Sequence, residues 1–178
     1  MKLKIAFITT ILLPLLHMSK VSNAQDDPEF PKGFVMHAKL HNGLITNFHQ
    51  GVDLYTGGLQ VIPQFGLIPR KLRAGIIAGG FYANKRMDAQ FGPTASFKLK
   101  TFNAGPFGSA ANLHLTADHI WGTNKQKLVG GGIHVDLLNK LVLGLTAHKD
   151  YEYNAWWIQT AIGIRINKVN KTREPFNE

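Results

Sequence analysis

The chain has no cysteine among its 178 residues. That absence excludes disulfide cross-links and lipoprotein acylation, and it leaves an exported protein to rely on its backbone hydrogen bonds. Glutamate is nearly missing too and occurs only at 29, 152, 174 and 178. A soluble β-protein normally wets its polar face with Lys and Glu, so the middle of this chain lacks half of that vocabulary. After residue 24 the only serines are Ser96 and Ser109, which leaves few nucleophiles for ester chemistry. Gly130-Gly131-Gly132 is followed by neither Lys-Ser/Thr nor a helical pattern, so it is not a phosphate loop. No nucleic-acid-binding motif is present, and nucleic acid is not an expected partner.

Long apolar runs are confined to the N-terminus. Lys2 and Lys4 precede an apolar stretch from Ile5 to Leu16, and Ser22-Asn23-Ala24 follows. This order of basic, apolar and small residues predicts a secretory signal peptide over 1–24, with the apolar part too short to serve as a spanning helix. Loss of Lys2, Lys4 and Lys20 would lower the formal charge from +9 to +6, with 17 Lys and Arg against 11 Asp and Glu. The basic residues are scattered, which fits contact with anionic lipid headgroups better than a concentrated polyanion site.

The remainder reads as one all-β domain over 33–167, between an N-terminal tail at 25–32 and a charged C-terminal tail at 168–178. Eight strand patterns recur between turn-forming residues: 33–46, 57–68, 72–82, 89–102, 110–120, 126–138, 141–149 and 155–167. Read at every second residue, each pattern has one apolar and one polar face. The apolar face carries residues such as Leu40, Leu59, Ile76, Phe97, Leu115, Ile133, Leu143, Leu145, Ile158 and Ile162. The opposite face carries His37, Lys39, Gln64, Arg73, Ser96, Lys98, Lys100, His114, Asp118, His134 and Asp136, interspersed with glycine. Small or neutral polar side chains of this kind suit a narrow interior better than a solvated surface. An antiparallel up-and-down barrel of eight strands has an interior just wide enough for packed side chains. Closure is also obligatory in lipid, where an open edge leaves backbone groups unpaired. The apolar face is therefore expected to meet lipid.

Aromatics gather near strand ends. If the mature N-terminus is periplasmic, Tyr82, Trp121, Trp156 and Trp157 fall at the outer rim and are expected to lie at the membrane interface. With its leader, alternating strands, tight turns at one end and aromatic rims, the segment 33–167 resembles the small outer-membrane β-barrel proteins of Gram-negative bacteria. The likeness is one of pattern and not of motif, and the last strand ends near Ile166-Asn167 where such proteins often end on an aromatic. What the resemblance implies is residence in the cell outer membrane, among lipids that include lipopolysaccharide and beside other envelope proteins. The implied role is structural, adhesive or in envelope assembly, with no open pore.

Within the polar face, Lys39, Arg73, Lys98 and Lys100 are expected to balance Asp118 and Asp136, with His114 and His134 filling the network. Arg73 and Lys98 in particular are expected against one of the two acids. An alternative is a lipid-modifying enzyme built on His148 and Asp150, two positions apart at the outer end of the seventh strand; with no serine near that rim, no enzymatic activity is the expectation. A second alternative is a soluble lipocalin-like barrel with an apolar ligand inside. His37 and His41 would sit too far apart on a strand to hold one ion, and neither a metal nor a cofactor is expected.

Overall fold

The structure, a computed structural model, describes residues 33–48, 53–68, 71–103, 109–138 and 140–167. The expected leader at 1–24 and the expected tails at 25–32 and 168–178 lie outside the described residues. Eight strands make up the fold: β1 (Phe34–Thr46), β2 (Leu54–Ile68), β3 (Leu72–Ala83), β4 (Arg86–Asn103), β5 (Ser109–Gly122), β6 (Lys127–Leu137), β7 (Leu141–Asp150) and β8 (Ala155–Asn167). Each pairs antiparallel with its neighbours in sequence, and β1 pairs with β8 to close the barrel. Closure satisfies the backbone of every strand without leaving an edge.

The strand ends define two rims. Segments 47–53, 84–85, 123–126 and 151–154 join strands at the far rim. The start of β1 and the end of β8 lie at the near rim, with the ends of β2, β4 and β6 and the starts of β3, β5 and β7. Asn84 and Lys85 both have positive φ, 48° and 62°, the requirement of a two-residue turn whose twist matches a hairpin.

Alternation sorts the side chains. Odd positions of β1, β3 and β8 and even positions of β2, β5, β6 and β7 turn inward. Inside lie Arg73 and Asp136, 0% and 1% exposed, whereas Ile76 and Leu145 stand outside at 57% and 56%. The apolar residues thus form the outer surface and the charged residues the interior, the reverse of a water-soluble barrel.

Register shifts in β2 and β4 alter this pattern at the near rim. Lys98 pairs with His114 and Lys100 with Leu113, so Leu99 is an extra residue that bulges β4. Leu99 and Lys100 both turn outward, and Thr101 takes the inward place. A similar shift between Gly66 and Ile68 leaves Leu67 and Ile68 both exposed. Pro63 and Pro93 lie within β2 and β4 on the outward parity, opposite Met36 and Ile76.

Candidate functional site

The interior begins at the near end with an acid between two guanidinium groups. Asp136 on β6 accepts a hydrogen bond from Arg165 Nη1 on β8 at 2.9 Å, and Arg73 Nη2 on β3 lies 3.6 Å from the same oxygen. His114 Nδ1 stands 3.9 Å from the other oxygen. The His114 ring stacks on His134, with centroids 5.5 Å apart and planes 16° apart. All five residues are buried. Charges withdrawn from water this thoroughly persist only when paired and hydrogen-bonded.

Above them sits a second acid. Asp118 on β5 accepts from Thr94 Oγ1 at 2.6 Å and contacts His148 Nε2 at 3.1 Å. Lys39 on β1 is buried and interacts electrostatically with both Asp118 and Asp136. Higher still, His41 lies between two amides, with Gln159 Nε2 2.9 Å from Nδ1 and Gln90 Nε2 3.3 Å from Nε2. Gln64 Nε2 donates to Ser96 Oγ at 2.9 Å. The space among Lys39, His41, Asp118, His134, His148 and Gln159 is a cavity of about 20 Å³. That is room for about one water molecule and not for an apolar ligand.

Toward the far rim the filling becomes apolar. Phe81, Trp157, Ile120, Leu128, Ile62 and Ile77 form a buried cluster. Phe81 and Trp157 meet edge to face, centroids 5.0 Å apart and planes 83° apart. Ile62, Ile77 and Ile120 of this plug also line the cavity, so the apolar packing lies directly against the polar column. Beyond it the rim loops bind one another. Asp150 Oδ1 accepts backbone N–H bonds from Lys127, Glu152 and Tyr153 at 3.4, 3.0 and 3.3 Å. Tyr153 Oη donates to the Asn124 carbonyl at 2.8 Å, and Thr123 Oγ1 donates to Asp88 at 3.2 Å.

Lys39, Arg73, His114, Asp118, His134 and Asp136 are all buried inside the barrel. Lys100 is not: the bulge at Leu99 turns it outward, where its Nζ lies 5.1 Å from the Phe102 ring centre. Lys98 faces inward but is half-buried, and its Nζ donates to Thr101 Oγ1 at 3.3 Å near the rim. Tyr82 and Trp156 are exposed and Trp121 is half-buried on the outer face. Trp157 contradicts its expected place at the membrane interface, being 3% exposed within the plug. His148 and Asp150 do not act as a pair. The imidazole goes to Asp118, and Asp150 caps the loop backbone. Arg165, the nearest guanidinium to Asp136, lies outside the expected network, although its polar parity on β8 is the sequence signal that points it inward.

No protein-family model matches the chain, and no curated protein matches it. Among solved structures, the N-terminal β-barrel domain of Pseudomonas aeruginosa OprF is similar at 11% identity with a TM-score of 0.47, over 76% of this chain and 98% of that one. A barrel from the de novo design of transmembrane β-barrels aligns at 12% identity and a TM-score of 0.45, over 78% and 99% of the two chains. The solution structure of the designed TMB2.3 aligns at 14% identity and 0.44, over 81% and 99%. At these values the description of the fold rests on the strand pairing of this chain itself.

Proposed function

We propose that this chain is an integral outer-membrane β-barrel with a filled interior, serving a structural or envelope-assembly role and not catalysis or open conduction. The observation that carries this reading is the inversion of the two faces. Leu40, Leu59, Phe65, Ile76, Leu145 and Ile162 are exposed around the barrel, while Lys39, Arg73, Asp118, Asp136 and Arg165 are buried within it. An outer surface of that kind is stable in hydrocarbon and aggregates in water. Exposed Tyr82 and Trp156 near the far rim, with Phe34, Phe65 and Phe102 near the other, supply amphipathic anchors at the two interfaces. The apolar plug and the ion-paired column argue against a passive channel. The far-rim connections 84–85, 123–126 and 151–154 are short and tied together, which favours a structural role over adhesion through protruding loops. Two features weigh against lipid hydrolysis or acyl transfer. His148 lies inside the barrel on Asp118, away from any lipid ester, and the nearest hydroxyl partner of that acid is Thr94.

Membrane fractionation followed by gel mobility with and without heating tests the reading. The unheated protein from the outer-membrane fraction is expected to run as a compact barrel and to shift on boiling. Recovery in the soluble periplasmic fraction, with no heat-dependent shift, would sink it.

A further inference from the structure

We infer that the outer face of β5–β8, at the far rim, holds the phosphorylated headgroup of a membrane lipid between Lys127 and Lys149. This rests on the membrane reading above and names one partner of that surface. On β5–β8 the register places Trp121 directly opposite Lys127, Val129 opposite Lys149, and Lys149 opposite Trp156. Lys127 and Lys149 are therefore diagonal neighbours on the outward face, a spacing of about 7–8 Å that one phosphorylated headgroup bridges. Two indole rings frame them. Among the described strand residues, no other Lys or Arg faces outward in the far half of the barrel; the same level of β1–β4 carries Leu44, Tyr55, Tyr82 and Met87. On the outward strand face the positive charge is thus confined to β6 and β7, while Lys85, Arg86 and Lys125, the other exposed cations of this rim, lie at its turns and not on that face.

The side chains already adopt a suitable posture. Lys149 Nζ lies 5.6 Å from the Trp156 ring centre and donates to Asn154 Oδ1 at 2.6 Å, so the ammonium is drawn up to the rim. Lys127 Nζ pairs with Glu152 at 3.1 Å, but the partners are 57% and 39% exposed, and an exposed ion pair of this kind is weak enough to yield to a phosphate. Below Lys127 comes the row of His119, Val129 and Lys149, and below that Ala117, Gly131 and Ala147 lie side by side in register, with Leu115, Ile133 and Leu145 in the next outward row. The small residues leave a shallow trough under the cationic pair in which acyl chains can rest. Charge above and a trough below fit a phosphorylated lipid and not a free phosphate, which has no use for the lower half of the site.

The probe is bis-phosphorylated lipid A, added at a small fraction to phosphatidylcholine vesicles, with its dephosphorylated form as the control. Folded protein is extracted and the retained lipid measured by native mass spectrometry. Wild type is expected to retain the phosphorylated form preferentially. Lys127→Gln should weaken retention about fivefold, and Lys127→Gln with Lys149→Gln about thirtyfold, the effect of one and two basic side chains at an anionic surface. Glu152→Gln should strengthen it. Lys71→Gln with Lys140→Gln, at the opposite rim, should leave it unchanged. Equal retention by wild type and the Lys127/Lys149 double variant, or an equal loss in the Lys71/Lys140 variant, overturns the site while the heat-shifted, inserted barrel still stands. Failure of wild type to insert into either vesicle overturns the site and the membrane reading together.

Discussion

Arg165 reaches across the lumen to Asp136 and donates to it at 2.9 Å, while Arg73 approaches the same carboxylate oxygen from another strand. One acid therefore serves two guanidinium groups drawn from β3 and β8. Replacing Asp136 with Asn removes the charge both depend on and leaves the geometry almost unchanged. The expected loss is about 3–5 kcal/mol, the usual effect of stripping one partner from a buried pair. Urea titration of the folded barrel in vesicles, read by gel mobility, measures it. A midpoint equal to wild type would mean that the two arginines find compensation elsewhere.

Asp118 offers a graded comparison. Its hydrogen-bond partners are a threonine hydroxyl and a histidine ring, and the buried Lys39 interacts with Asp136 as well as with it, so Asp118→Asn keeps hydrogen-bonding capacity at the site and leaves Lys39 the other acid. The loss should be about 1–3 kcal/mol, smaller than for Asp136→Asn. If the order of the two variants is reversed in the same titration, the division of the interior into an ionic and a hydrogen-bonded level is wrong.

On the outside, Leu143 and Ile162 are register partners on β7 and β8 with their side chains exposed. Leu143→Arg and Ile162→Arg should each destabilise the inserted barrel by about 2–4 kcal/mol if they lie near the bilayer midplane. Lys100→Met should be nearly neutral, since Lys100 already faces outward close to the near rim. Folding yield in lipid vesicles reports all three, and unimpaired folding of both arginine variants would contradict a lipid-facing surface.

The edge-to-face contact of Phe81 with Trp157 caps the polar column. Truncating both residues to alanine removes the largest rings of the plug and opens a route for water into the lumen. Planar-bilayer recordings should show raised ion conductance for Phe81→Ala with Trp157→Ala over a silent wild type. A conducting wild type would overturn the filled-interior reading.

No change in envelope lipid acylation is expected between cells with the protein and cells carrying His148→Gln, because His148 faces Asp118 inside the barrel. Mass spectrometry of the extracted lipids decides. Gain or loss of one acyl chain that tracks His148 would make the protein an enzyme.

The period-two alternation made the closed barrel and its inverted faces legible, since residues such as Arg73 and Ile76 fall on opposite parities and cannot share a side. What the sequence concealed was local. A bulge such as that at Leu99 has no side-chain signature, so uninterrupted parity predicts Lys100 inside where the structure turns it outward. Trp157 has inward parity, and in the structure that position overrides the preference of tryptophan for membrane interfaces. Asp150 opens a tight turn, where a carboxylate commonly accepts backbone N–H groups just ahead of it, and that chemistry was the clue that it would cap the loop and not orient His148.

Closure joins the first strand to the last, from Val35 opposite Asn167 to Thr46 opposite Trp156. Those partners are separated by more of the chain than any other pair of strands, so their meeting bears the largest loop-closure entropy in the fold. Pairing between neighbours can begin as soon as each hairpin exists, but the ring cannot seal until residue 167 has been synthesised. Until then β1 and β8 each offer an unpaired edge beside an apolar surface, the combination that drives nascent β-chains into aggregates. The last thirteen-residue strand therefore controls when the open backbone edges disappear, leaving only the apolar outer face for lipid to cover, and truncations within it should accumulate as insoluble chain in place of smaller barrels.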